Sequence, residues 1–388
     1  MPRQSRILLS TARAGQSLIS IRSTNRSGQM RLLMRLRPML KSSSKSYYGT
    51  QAYKSDGVRA QPAKSVYNFE GIRLPWGQTT AAVPDRLLDD PTPAEMLFWE
   101  DFKRKKREKA NNGSYVPAPF EGANLHQKYD HERLRYAQLP MRSQLWLILN
   151  LGGKWIFLTL TPLYALICMT MHIASKNSYT KVEFLEAFIG GSYFISLPPL
   201  LSWLIGHIVI NHFPRIWFRP PKGPLWELNR RTGLVTIFDY KRHRKEGVID
   251  EFIAPFYEFD AYMITTCNRH GPSYGLILQH RCEDQRINFH ALLGPDDFQQ
   301  RPCALWDFLQ NYMDVSGPIP DIPLFEPYRH LDPVTASHDQ QNGRNPRYWI
   351  DMDDATFKAE VDAMWQRVYT IDTFSRPNVM ARYVDYGV

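Results

Sequence analysis

A membrane α-helical hairpin joined to an α+β domain is the fold class this sequence predicts, on three observations. Residues 155–173 (WIFLTLTPLYALICMTMHI) and 187–210 (AFIGGSYFISLPPLLSWLIGHIVI) are uncharged apolar runs separated by a short polar loop. Residues 222–315 alternate apolar and polar positions between turn signals, the pattern of antiparallel strands. From near Pro302, Leu305, Phe308, Leu309, Tyr312 and Met313 fall at i, i+3, i+4, i+7 and i+8, one stripe of an amphipathic helix.

At ~1.5 Å per helical residue, each apolar run is about long enough to cross a ~30 Å hydrocarbon core. Neither carries the polar stripe of a soluble core helix. Pro162 and the Pro198–Pro199 pair are expected to kink the spans. Arg133, Arg135, Arg142 and Lys154 precede the first run, and Arg215, Arg219, Lys222, Arg230 and Arg231 follow the second. The loop between holds only Lys176 and Lys181, beside Glu183 and Glu186. The positive-inside rule then predicts a multi-pass membrane protein with both termini in the cytoplasm and the loop outside.

The formal charge of +10 invites a nucleic-acid reading, but eleven Lys and Arg and no acidic residue lie in residues 1–55. The remainder holds 37 basic against 38 acidic residues and is nearly neutral. No aromatic interleaving or motif supports nucleic-acid binding. Residues 1–55 read as a disordered basic leader of transit-peptide type, or as an over-extended start with the true one at Met30 or Met34. Cys168, Cys267, Cys282 and Cys303 show no paired spacing and read as free thiols.

Residues 56–142 read as a cytoplasmic arm. Residues 56–91 look loosely packed, and Thr92-Pro93-Ala94-Glu95 is a capping box opening a helix over 93–110. That helix runs into the basic cluster Lys103, Arg104, Lys105, Lys106, Arg107 and Lys109. The transmembrane hairpin occupies 143–213. In 222–315, two hairpins are expected around residues 230–233 and 281–284, with extended runs at 248–253 and 256–265. About six strands capped by one helix match a pleckstrin-homology-like layout. Residues 316–388 read as a Pro-rich connector, with a mobile segment at 339–344 and a last helix at 353–369.

Motifs with catalytic overtones each have a plainer reading. Gly271-Pro272-Ser273-Tyr274-Gly275 fits a nucleophile-elbow pattern, yet an apolar strand follows where the elbow needs a helix. His207 and His212 stand five apart, so they do not share the helix face that zinc requires. Asp351, Asp353 and Asp354 sit where a helix start needs caps. The sequence therefore predicts no enzyme, no cofactor and no metal.

The run PLWELNRRTGLVTIFDY, the WDFLQNYM helix and the terminal RYWIDMDDATFKAEVDAMWQRVYTIDTFSRPN segment, behind a two-span hairpin, resemble a family of proteobacterial membrane proteins. Members of that family are encoded beside type VI secretion and polymorphic-toxin genes. The resemblance implies a bacterial inner-membrane location and an immunity or accessory role, exercised by binding a cognate effector or toxin. Trp226, Tyr240, Arg242, Arg244 and Tyr257 are the candidate anchors of such an interface. The alternative is a scaffold for the lipid bilayer or envelope proteins. There Lys103, Arg104, Lys105, Lys106 and Arg107, with the basic turn at 241–245, would meet headgroups.

Overall fold

The computed structural model describes residues 46–57, 63–65, 69–77, 79, 91–117, 121, 123–174, 181–269, 271–289 and 297–386. Residues 1–45 of the leader and the loop at 175–180 lie outside the described residues. The main helices are α1 (Pro93–Asn111), α2 (Met141–Ala174), α3 (Lys181–His212), α4 (Gln300–Met313), α5 (Pro333–Gln341) and α6 (Asp354–Tyr369). The strands are β1 (Ala63–Lys64), β2 (Ile72–Leu74), β3 (Lys128–Tyr129), β4 (Arg133–Tyr136), β5 (Trp226–Asn229), β6 (Leu234–Asp239), β7 (Asp250–Pro255), β8 (Phe259–Asn268), β9 (Gly271–His280), β10 (Arg286–Asn288) and β11 (Val384–Asp385). The described residues divide into two compact units: one built on those of 137–223, the other on those of 46–116, 126–136 and 224–386.

The first unit is the pair α2 and α3, both long and apolar enough to cross a membrane. The helices extend beyond the expected spans, covering 34 and 32 residues. The apolar core defines what lipid accepts, whereas backbone hydrogen bonding continues beyond it, and α2 runs through Gly152-Gly153 without a break. Both helices also run without interruption through Pro162 and Pro198–Pro199. They pack through small residues. A Cβ on Gly206 would stand 2.7 Å from the Asn150 nitrogen, and one on Gly153 2.6 Å from the Trp203 nitrogen. This close approach is the usual way of joining helices where the surroundings are apolar. Thr161 donates across the pair to Ser196 at 3.0 Å, and Ser202 to the Leu149 carbonyl at 3.2 Å. The outward faces are apolar and uncovered: Leu158, Leu163, Leu166, Met169, Leu185, Ile189 and Phe194 are exposed.

The second unit holds two antiparallel sheets, in the orders β3-β4-β5-β6-β7 and β10-β9-β8-β2. β1 and β11 form a separate parallel pair. β4 comes from before the helix pair and β5 from after it, with Tyr136 opposite Trp226 and Arg133 opposite Asn229. β6 turns back through Gly233, whose φ of +73° suits glycine. β8 and β9 form a long hairpin from Phe259 opposite His280 to Asn268 opposite Gly271.

The core joins both sheets to α4, with Leu74, Trp76, Leu228, Val235, Phe256, Phe259, Leu278 and Trp306 within it. α4 is more enclosed than its stripe implies, because the 3-10 segment Pro323–Leu331 and α6 cover its other faces. Phe308 stacks on Phe325 at 6.2 Å, and Ala304 packs with Val368.

Three expectations are corrected here. Residues 46–55, assigned by composition to the leader, are packed: Tyr53 is buried in the core and Gly49 donates to the Arg231 carbonyl at 2.7 Å. The loosely packed arm contains β2 and the fully buried Trp76. The connector is also folded, with Ile319, Ile322 and Phe325 buried. Its expected mobile segment is held by ion pairs: Asp339 to Arg329 at 2.6 Å, and Arg344 to Glu326 at 2.7 Å and Asp321 at 2.8 Å.

Candidate binding surfaces

The five candidate anchors do not converge. Trp226 begins β5 and faces the core, stacked on Tyr136 at 5.8 Å and tilted against Phe289 at 5.0 Å. At 5% exposure it offers no surface to a partner, a correction to its reading as an anchor. Tyr240 follows β6 and donates its hydroxyl to the Pro224 carbonyl at 2.7 Å. Arg242 is exposed but is clamped by Asp250, with Glu246 at 3.5 Å. Lys241 pairs with Asp239 at 3.0 Å. Arg244 lies in the one-turn helix His243–Glu246, and its side chain lies outside the described ones. Tyr257 sits beyond Pro255, which pairs with Leu234, whereas Tyr240 lies beyond Asp239 at the far end of β6. About six residues at ~3.3 Å each separate those ends, roughly 20 Å.

The basic cluster is more coherent. α1 is fixed at its start by the capping box, in which Thr92 accepts from the Glu95 nitrogen at 3.3 Å and Glu95 accepts from the Thr92 nitrogen at 3.1 Å. Pro93 and Met96 are its buried residues. Glu100 meets Arg347 at 3.1 Å. Past that point Arg104, Lys105, Arg107 and Lys109 are exposed, while Lys103 and Lys106 are half-buried. Asp101 takes Arg104 and Lys105, and those cations hold its carboxyl below the usual range.

The buried ionic groups are structural. Arg230, fully buried at the β5–β6 turn, donates to the carbonyls of Tyr312 at 2.5 Å, Asp314 at 2.7 Å and Gly317 at 2.6 Å, and to Asp332 at 3.4 Å. Asp332 also accepts from Tyr48 and Thr335, both at 2.6 Å. Burial pushes the Asp332 pKa up, but Arg230, Thr335 and Tyr48 together outweigh it and leave it below the usual value. Asp260 accepts from Trp76 at 3.0 Å, Arg281 at 2.9 and 3.0 Å, and Tyr386 at 3.1 Å. A carboxylate so saturated is a strut; a general base needs a free lone pair within reach of substrate. Asp307 meets Arg376 at 2.8 and 2.9 Å and Thr79 at 3.2 Å. Burial outweighs these partners and pushes its pKa up to about 6.

The catalytic-looking motifs have structural places. Ser273 is buried within β9. His207 meets Asn211 one turn on at 3.1 Å. Asp353 caps α6, accepting from the Ala355 and Thr356 nitrogens at 3.0 Å. Among the described residues, no group of three or more His, Cys, Asp or Glu could hold a metal ion.

Comparison with protein-family models, curated proteins and solved structures finds no match to this chain. The surface missed by the sequence reading is the aromatic part of α1: Leu97, Phe98 and Phe102 are exposed beside the basic cluster. The signal is present in MLFWEDF, where Met96, Phe98, Trp99 and Phe102 give an apolar face of which only Met96 is buried.

Proposed function

We propose that this chain is an integral membrane protein in which α2 and α3 cross the bilayer as a hairpin. Its two-sheet unit is a pleckstrin-homology-like module that acts by binding a protein, not by catalysis. The observation that carries the reading is the uncovered apolar surface of both helices, which leaves none of the most apolar stretch of α2 buried and 11% of that of α3. Soluble monomers rarely expose continuous apolar patches of more than a few hundred Å².

Strand pairing adds a topological constraint. β4 and β5 flank the helix pair in sequence and are hydrogen-bonded neighbours, which supports an even number of crossings between them. Both ends of the hairpin then lie on one side of the bilayer. The structure also sharpens the charge rule. Arg135 is engaged by Glu227, Arg230 is buried and Arg231 meets Glu132 at 3.5 Å. Arg133 also meets Glu227, at 3.6 Å, so Arg142, Lys154, Arg215, Arg219 and Lys222 remain as the junction charges, and by the positive-inside rule they favour the cytoplasm for this side.

Support for the pleckstrin-homology-like layout comes from the order of elements: an antiparallel meander over two sheets, then α4 packed into the core. The partner class, a cognate effector or toxin, rests on the family resemblance. Alkaline extraction of membranes tests the anchor: the chain stays in the pellet, and its release contradicts the reading. A pull-down of detergent-solubilised protein from its host tests the partner. One toxin-like protein at equal stoichiometry supports the immunity role, and recovery of lipid or general envelope components alone defeats it.

A further inference from the structure

The exposed outer part of α1 has a composition that fits one occupant. Phe98, Phe102, Lys105 and Lys109 recur at i, i+4, i+7 and i+11, which places them on one helical face. Phe98 is 60% exposed and Phe102 43%, with Leu97 at 46% beside them. The aromatic rings form a cluster of their own, Phe98 against Trp99 at 5.3 Å and Trp99 against Phe102 at 5.8 Å. Directly after it, residues 103–109 hold six cations and one acid. Four of the six are Lys, a residue depleted at protein–protein interfaces. Lys is instead suited to laying its stem along apolar surface with its ammonium among headgroups.

We propose that α1 is a second, peripheral membrane contact, lying in the headgroup layer of an anionic bilayer. Phe98, Phe102 and Leu97 enter the acyl boundary, while Lys109 meets a lipid phosphate and the exposed Lys105 exchanges its Asp101 pairing for another. An amphipathic helix with aromatics on one part and lysines on the rest binds this way. Cations near an anionic surface each add attraction that salt screens. This inference rests on the anchored reading: a helix on a chain already fixed in the bilayer meets the surface at high effective concentration, so modest intrinsic affinity suffices. The fixed base at Thr92–Met96 and the Glu100–Arg347 contact hold α1 in place for it.

The test is amide hydrogen exchange of the full chain reconstituted in nanodiscs, one set of phosphatidylcholine alone and one with phosphatidylglycerol as a third of the lipid. Amides of residues 97–109 are expected to exchange about tenfold more slowly in the anionic set, with β9 unchanged as a reference. High salt and the paired charge reversal Lys105→Glu with Lys109→Glu should each remove the difference. Phe98→Ser with Phe102→Ser should weaken it at low salt. Equal exchange in both lipids overturns the inference and leaves the anchor standing. So does slowing that appears only when a protein partner is added. Failure of the chain to enter either nanodisc overturns the anchor and this inference together.

Discussion

Tyr136 and Trp226 face each other across adjacent antiparallel strands with their rings stacked at 5.8 Å, although the whole apolar helix pair lies between them in the chain. This pairing closes the five-stranded sheet around an insertion and buries Trp226 under Phe289. Trp226→Ala should therefore act as a core truncation, costing about 3–5 kcal/mol. Denaturant unfolding in detergent checks it; a stable variant that merely lost a partner would restore the anchor reading.

Arg230 is a buried cation whose partners are three carbonyls and Asp332. Removing one member of such a set leaves the other charge uncompensated. Arg230→Ala and Asp332→Asn are each expected to cost about 3–5 kcal/mol. The double variant should cost less than the sum, because the two share one interaction. Thermal unfolding of the four proteins reads this directly.

Asp307 gives a pH dependence of defined sign. Its folded pKa is about 6, above the value of 3.8 expected for an unperturbed Asp. Between those values the folded state binds more protons than the unfolded one, so this group's contribution to stability falls as pH rises. The loss is complete above the folded pKa. Relative to Asp307→Asn, the wild type should lose up to ~3 kcal/mol across that window. Denaturant midpoints of both proteins from acid to neutral pH check it, and parallel curves would contradict it.

Gly206 and Gly233 are close approaches of different kinds. A side chain on Gly206 runs into the Asn150 backbone, so Gly206→Val should separate α2 from α3 and lower thermal stability in detergent. Gly233 combines a positive φ with a Cβ position that collides with Gln51 and Ala52. Gly233→Ala should destabilise by about 2 kcal/mol and release residues 46–57 to protease.

What the sequence disclosed depended on whether the signal was local. The apolar helices and the α1 capping box are local, since composition and a four-residue motif specify them. The hairpin around Gly233 was legible for the same reason. β3 and β4 were not: KY and RLRY are short and polar, and their place depends on pairing with β5 across the helix pair. Trp76 and Tyr53 showed no periodicity because their burial comes from contacts distant in the chain: both meet Phe256, at 5.3 and 5.5 Å, and Trp76 also meets Trp306 at 4.7 Å. Among the candidate anchors, Trp226 misled because an aromatic at a strand start reads alike whether it faces core or partner. The pairing of the basic turn after β6 was not legible because its acids, Asp239 and Asp250, belong to the flanking strands.

The most direct test of the central claim is labelling of sealed membranes with an impermeant maleimide. Val182→Cys places a thiol at the start of α3, where the native side chain is exposed, and the exposed Cys282 reports on the sheet unit. With α2 and α3 crossing as a hairpin, intact cells should label the residue-182 thiol and not Cys282, and lysis should open Cys282. Labelling of both thiols alike in intact cells, or of neither until lysis, would contradict it.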